Sequence, residues 1–505
     1  MNTLTRNKIL SFFIFLTLTL SVTAFLMQTL FSFIILSLSV SLLTLVVHDI
    51  RQTRHTLLRN YPLIGRLRWV FEHERSKIQQ YFIEDDTNGT PFNREKRSDV
   101  YQKAKGDINT TPFGTQLDVY KDGYEFIKHS MYPKDINDVV EPRVTIGSKF
   151  CKHPYSASIF NISAMSYGAL SDAAVMSLNG GAKLGNFYHN TGEGGLSPYH
   201  LQGGDLCFQI GTGYFGAGKT IDGKRYFDEK AFLKTMNAST IKMVEIKLSQ
   251  GAKPGHGGIL PAAKNTAEIA QIRGVEQGTD VMSPPYHTAF TDSVSMINFI
   301  SRIRTLTNGL PVGIKMCLGD NNEVEDLFKT MKEMDMYPDF ITIDGGEGGT
   351  GAAPIVFTNN MGTPLIDSLV FIDKMLRKYG LREDIKIIAS GKASTSFDII
   401  KLVALGADVI NAARAFMLSL GCIQARECNK NTCPVGIATQ NRTLINGLNP
   451  AEKRVRVYNY HKSLIHELRE VLGAMGITDI TKLTKDNIYV RVDKDKLITY
   501  KDLFN

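Results

Sequence analysis

The 505-residue sequence has few cysteines, no low-complexity tract and no internal repeat. Six cysteines in so long a chain exclude a secreted disulfide framework. Cys151, Cys207 and Cys317 are scattered and read as small core residues. A formal net charge of +8 is too mild to imply a nucleic-acid partner. With 43% apolar residues, the chain can bury a sizeable core.

One segment lacks charge and proline altogether. It runs from Ile9 to Val47, and its polar residues are serines, threonines and one glutamine, Gln28. As a single helix this run would reach ~58 Å, about twice the ~30 Å hydrocarbon core of a bilayer. Two membrane spans joined near Met27-Gln28 fit better. "SVTA" (21–24) could pass for a signal-peptide cleavage site, but the apolar run continues far beyond it. Arg6 and Lys8 precede the run, and Arg51, Arg54 and Arg59 follow it. The positive-inside rule then expects a two-pass anchor in the cell membrane, with the catalytic body on the cytoplasmic face. Residues 60–86 have an Arg-rich start and helically spaced apolar residues, which fit a helix at the lipid surface or one packed on the main domain.

Four segments are expected: two transmembrane helices over 1–50, a juxtamembrane and pre-barrel region over 51–150, a barrel domain over 151–445, and a helical extension over 446–505. In the third, apolar, β-rich runs alternate with helical patterns. The runs are "SIFNISAMS", "GNFYHNT", "TIKMVEIKL", "TDVMSPP", "LPVGIKMC", "DFITIDGG", "IKIIASG" and "DVINAARAF". Eight such runs separated by helices read as an α/β fold, a (β/α)8 TIM barrel behind an N-terminal transmembrane hairpin. "SYGALSD", "TGEGG", "SQGAKPGHGG", "SPPYHT", "DGGEGGTG" and "ASGKAST" fall where the C-terminal ends of barrel strands would build an active site. The glycines in "DGGEGGTGAAP" allow close backbone approach to an anion or a flat ring. A phosphate beside the last two strands, with a planar ring over the mouth, describes FMN.

"GYFGAGKT" (213–220) matches a nucleotide phosphate loop, but that mechanism needs a helix directly after the glycines. "TIDGKRYFD" follows instead and reads as a hairpin. "GCIQARECNKNTCPVG" (421–436) sets Cys422, Cys428 and Cys433 close together. By themselves they fit an iron–sulfur cluster, a zinc site or buried thiols. Structural zinc wants four ligands, and no fourth Cys or His lies close in sequence.

From about 150 to 445 the sequence resembles the FMN-binding synthase domain of glutamate synthase, and in particular shorter membrane-anchored relatives. "SAMSYG", "NTGEGG", "IKLSQGAKPG", "MSPPYH", "GGTGAAP" and "GCIQARECNKNTCPVGIATQ" carry the resemblance, in that order. It implies that Cys422, Cys428 and Cys433 ligate a [3Fe–4S] cluster. It places FMN against Ser163, Ala164, Met165 and Ser166, with Gln209 and Lys315 at its ring. Gly346, Gly349, Gly351, Ser390, Gly391, Ala412 and Arg414 would hold the phosphate end. The implied reaction reduces the imine of 2-oxoglutarate and ammonia to glutamate. Lys253 and Arg273 would bind the dicarboxylate, Gln250 would support it, and Glu193 and Lys253 would be the catalytic pair.

Two departures stand out. His256 and Ile259 occupy positions where glutamate synthases carry a Glu and a Gln, which leaves a related 2-oxo acid or another amine open. The sequence shows neither a glutaminase domain nor a reductase domain. Ammonia or an amine, and electrons from an external donor such as ferredoxin, are therefore expected from outside. The other readings are a membrane-bound FMN and iron–sulfur electron-transfer subunit, or a subunit like that of N-methylglutamate synthase.

Overall fold

Eight parallel strands close into a barrel in a computed structural model that describes residues 2–108 and 110–504. They are β1 (Phe160–Ile162), β2 (His189–Asn190), β3 (Leu206–Ile210), β4 (Ile241–Lys247), β5 (Val312–Met316), β6 (Phe340–Asp344), β7 (Lys386–Ser390) and β8 (Val409–Ala412). Each pairs with the next, and β8 returns to β1 through Ile410, Asn411 and Ala412 opposite Phe160, Asn161 and Ile162. Helices cover the outside, so both faces of the strands are buried and the strands read as continuous apolar runs.

Seven of the eight expected runs supply barrel strands; the fourth does not. From "TDVMSPP", Val281–Met282 pairs antiparallel with Ile259–Leu260 in the excursion after β4. Two prolines end that run and remove its ladder donors. The missing strand is "LCFQI" at β3, short and wholly buried, between the glycines of "QGGD" and "GTGYFG". The segment after "GYFGAGKT" is a hairpin, as expected. Gly218–Ile221 pairs with Lys224–Phe227, and the turn residues Asp222 and Gly223 have φ of 48° and 76°. The next helix begins only at Glu229, after the hairpin.

A second hairpin, Arg143–Ile146 with Tyr155–Ser158, closes the N-terminal end of the barrel. Its Ile146, Tyr155 and Ala157 pack on Tyr188, Met243, Phe340 and Val409. The last stretch is more than helical. After a long helix, Pro450–Ala474, the strands Ile488–Asp493 and Lys496–Thr499 join Glu125–Ile127 in a small antiparallel sheet.

The chain divides into two units at Asp85/Asp86. In the first, α1 (Asn2–Met27) and α2 (Leu30–Arg51) pack as a hairpin around Gln28, at φ 49°. Thr17 Oγ1 and Ser39 Oγ meet across it at 2.8 Å. Both helices are long and apolar enough to cross a membrane, with mean hydropathies of 2.3 and 2.6. Phe15, Phe25 and Phe31 are exposed on their outer faces. Asp49, fully buried, accepts from Leu63 N and Arg66 Nε at 3.0 Å each. These bonds fix the turn before α3 (Leu67–Ile78), whose Leu67, Val70 and Phe71 are exposed.

Candidate active site

The C-terminal ends of the strands open into a cavity of 1110 Å³. Its wall collects Ser163, Ala164, Met165 and Ser166 after β1 and Gln209 and Lys315 on β3 and β5. Glu193 comes from the loop after β2, Gln250 and Lys253 from the loop after β4, and Arg273 from the end of the helix Ala267–Arg273. Gly346, Gly349, Gly351, Ser390, Gly391 and Arg414 follow β6, β7 and β8, and Cys422, Cys428 and Cys433 complete it. Ala412 does not line the cavity. It is buried within β8, and its carbonyl accepts from Ser163 N at 3.0 Å. That leaves it a backbone tie between β8 and the loop after β1.

At the floor stands a residue that sequence reasoning did not select. Glu245, 1% exposed, accepts from Gln209 Nε2 at 2.6 Å, Asn190 Nδ2 at 2.7 Å and Thr342 Oγ1 at 2.5 Å. Lys315 Nζ lies 3.4 Å from Asp344 Oδ2. Burial alone would lower the Lys315 pKa, but Asp344, Glu245 and Glu193 raise it above its ordinary value. Lys315 therefore stays cationic. Hydrogen bonds to a charged group contribute about 1.5–3 kcal/mol each. Glu245→Gln keeps the shape but turns an amide N–H toward one of these donors. It is expected to cost about 2 kcal/mol, read as a lower midpoint in urea unfolding of the solubilised protein. An unchanged midpoint would deny Glu245 this role.

On one side of the mouth Lys247 Nζ donates to Glu193 Oε1 at 2.6 Å and to Gln250 Oε1 at 3.1 Å. Burial pushes the Glu193 pKa up, but Lys247, Lys253 and Arg273 outweigh it and hold the carboxyl below its ordinary value. Backbone crowds this carboxylate, since a Cβ on Gly258 would come 2.6 Å from its Oε1 and one on Gly211 2.7 Å from its Oε2. Lys253 donates to Ala352 O at 3.0 Å, and burial, with Lys247 nearby, lowers its pKa to about 8. Arg273 Nη2 donates to Tyr167 O at 3.2 Å. Its buried Nε has no partner among the described residues, and burial lowers the guanidinium to about 10 against the pull of Glu193. Two buried, under-partnered cations beside an ionised Glu–Lys pair form a receptor for an anion.

The adjoining loop after β6, bonded to Gln250 through Gly349 O at 2.9 Å, lies beside cations of the kind a phosphate needs. Arg414 Nη2 donates to Glu347 O at 2.9 Å, and a Cβ on Gly349 would sit 2.7 Å from Arg414 Nε. Lys392 adds a second cation on the same wall. The backbone of 163–166 lines the same cavity. A planar ring with a phosphate tail, the outline of FMN, fits these residues: cations at the tail, and Gln209 and Lys315 at the ring.

The three cysteines are free thiols on the same wall. Gln424 N–H donates to Cys422 Sγ at 3.4 Å, and burial pushes the Cys422 thiol up to about 12. Burial also raises Cys428, with Cys433 adding to it. Buried Lys264 stands near Cys428 and Cys433, which oppose the effect of its burial. Among the described residues no three His, Cys, Asp or Glu side chains converge closely enough for one metal ion. Thiolates around a single zinc sit ~3.8 Å apart, given Zn–S near 2.3 Å. A cluster in which each iron has its own thiolate sets them wider. An all-sulfur donor set suits a cluster or zinc, and three thiols leave a structural zinc one ligand short.

Lys247 also escaped the sequence reading, although its signal was present. In "IKMVEIKL", Glu245 and Lys247 are two residues apart in an otherwise apolar strand, hence on one face. Of the two departures, Ile259 lines the cavity. His256 lies against Phe357, with ring centroids 5.3 Å apart.

The family model described as the conserved region in glutamate synthase matches residues 102–478. The chain belongs to the glutamate synthase family. It is 36% identical to the glutamate synthase large subunit-like protein YerD of Bacillus subtilis, across 91% of this chain and 94% of that one. The archaeal glutamate synthase (NADPH) of Methanocaldococcus jannaschii is 37% identical over 64% of this chain, which spans 60% of that relative's length. Ferredoxin-dependent glutamate synthase 1 of Arabidopsis thaliana is 29% identical over 77% of this chain and 23% of its own length. Among solved structures, a flavocytochrome b2 variant with pyruvate bound is 12% identical. It covers 83% of this chain and 85% of that one at a TM-score of 0.43, a likeness from which no chemistry follows.

Proposed function

We propose that this member of the glutamate synthase family forms glutamate by reducing the imine of 2-oxoglutarate and ammonia at the barrel mouth. The observation that carries this reading is the meeting of three things in one cavity: the Lys253 and Arg273 anion receptor, a flavin-shaped cradle and three thiols. FMN held by Ser163 to Ser166, Gln209, Lys315, Gly346, Gly349, Gly351, Ser390, Gly391 and Arg414 would supply the hydride, while a [3Fe–4S] cluster on Cys422, Cys428 and Cys433 would carry single electrons inward. The net change is balanced: 2-oxoglutarate, ammonia, two electrons and two protons give glutamate and water.

The chain's own groups do the rest. Arg273 and Lys253 neutralise the two carboxylates and orient the substrate. Lys247, which donates to Glu193 and Gln250, is the donor placed to hold a proton at the imine nitrogen. Lys315 stays cationic at the floor, where it favours a negatively charged ring above it. The electrons come from a separate one-electron donor, ferredoxin in this proposal. α1 and α2 anchor the protein as a two-pass hairpin with the barrel in the cytoplasm, and α3 lies in the lipid interface.

One test is composition. Solubilised protein purified anaerobically is expected to hold one FMN and about three irons per chain, one per cysteine. A colourless, iron-free protein would sink the proposal. A second is pH. Lys253 binds as a cation, so in the free enzyme it serves below pH about 8 and is lost as pH rises through that value. At fixed free ammonia, kcat/KM for 2-oxoglutarate is expected to fall above this pH. Lys253→Arg should remove that limb, and a limb unmoved in the variant would assign it elsewhere.

A further inference from the structure

A second cavity, of 750 Å³, lies at the other end of the barrel. Lys386, at the start of β7, and Asp408, just before β8, are in its wall, whereas Ser390 at the end of β7 lines the mouth. A strand of this length spans ~16 Å, so a ligand here touches none of the reacting groups. The remaining wall comes from the closing hairpin, the helices Leu365–Lys378 and Ser396–Ala404, and the segment 480–485.

Its charge is one-sided. Arg143, Lys374, Arg377, Arg382, Lys386 and Lys485 line it, against two carboxylates, Asp373 and Asp408. Arginines already occupy both acids. Asp373 takes Arg377 at 2.9 Å and Arg382 at 2.8 Å, and Asp408 takes Arg382 at 3.0 Å. Arg143 donates only to Ser156 and the Asn186 carbonyl, and Lys386 to the Glu383 carbonyl. Among the described residues no carboxylate pairs with Lys374, Lys386, Lys485 or Arg143. Four uncompensated cations around a concave surface focus a positive potential. The other wall is apolar, with Val370, Leu405, Ile480, Leu483 and Phe504. The volume lies within the ~300–1,000 Å³ of small-molecule sites.

We propose that this cavity binds a nucleoside phosphate, its phosphates at the lysines and its base on the apolar wall. A fatty acid has too few charges for four cations, and a short dicarboxylate has no body for the apolar side. A ligand at this place acts on catalysis only through the barrel, as a regulator.

The experiment is calorimetric titration of the solubilised full-length protein with ATP, AMP, adenosine and inorganic tripolyphosphate at physiological ionic strength. ATP and AMP are expected to bind and adenosine not to. The double variant Lys374→Glu, Lys485→Glu should weaken ATP binding by about tenfold or more without altering the visible spectrum or the urea midpoint. No binding of ATP, or binding unchanged in the variant, would overturn the proposal. Tripolyphosphate binding as tightly as ATP would also overturn it, because the apolar wall would then contribute nothing.

Discussion

Cys428→Ser is expected to give a folded, yellow protein that has lost its iron and no longer makes glutamate with ferredoxin as donor. The three thiols sit on the wall of the same cavity as the flavin residues, but they belong to the loop after β8. Removing one therefore leaves the barrel and its cradle intact. Structural metal sites hold about 10–16 kcal/mol over four ligands, so one thiolate is worth roughly 3 kcal/mol, or ~10²-fold in occupancy. Ferredoxin-driven turnover should fall by at least that factor, while FMN content and turnover driven by a small reductant able to reach the flavin directly are retained. Equal loss with both donors would mean that the cysteines hold the fold together. No loss with either would leave them buried thiols.

The second large effect concerns the substrate. Arg273→Met keeps the apolar body of the side chain, which packs over Phe215 with 5.2 Å between guanidinium carbon and ring centroid. It removes a charge whose Nε has no partner among the described residues. Losing one side of a buried, charge-assisted contact costs about 2–5 kcal/mol. With about 3 kcal/mol as the central expectation, kcat/KM for 2-oxoglutarate should fall ~10²-fold. Most of the loss should appear in KM, because a carboxylate clamp binds ground and transition states alike. Bound flavin should be unaffected. A variant with unchanged KM would remove Arg273 from the substrate site and, with it, the main argument for a dicarboxylate.

Much of this was legible in the sequence. The strand ends that carry the site are flanked by glycine, serine and proline, and these turn signals locate "SAMSYG", "TGEGG", "DGGEGGTG" and "ASGKAST" on one rim. The failures have specific causes. β3 is a five-residue run with no period of its own to separate it from helix or loop, whereas "TDVMSPP" carries strand-like residues but two prolines. Glu245 and Lys247 were overlooked because attention to loops skips strands, although two charges on the inner face of an apolar strand are themselves a sign of a site. Ala412 was named from the resemblance alone; its side chain is buried in β8, so only its backbone is open to a role there. The anion receptor depends on Glu193 and Lys253 from two loops meeting Arg273 at the end of a helix, and no local pattern encodes such a meeting.

The central claim is tested most directly by supplying the anaerobically purified, solubilised protein with 15N-ammonium, 2-oxoglutarate and reduced ferredoxin, and following the amino acid by mass spectrometry. Glutamate labelled at nitrogen, formed in step with ferredoxin oxidation and ~10²-fold more slowly in Arg273→Met at 2-oxoglutarate well below KM, is the predicted result. Ferredoxin oxidised without labelled glutamate would contradict the account and leave an electron carrier in its place.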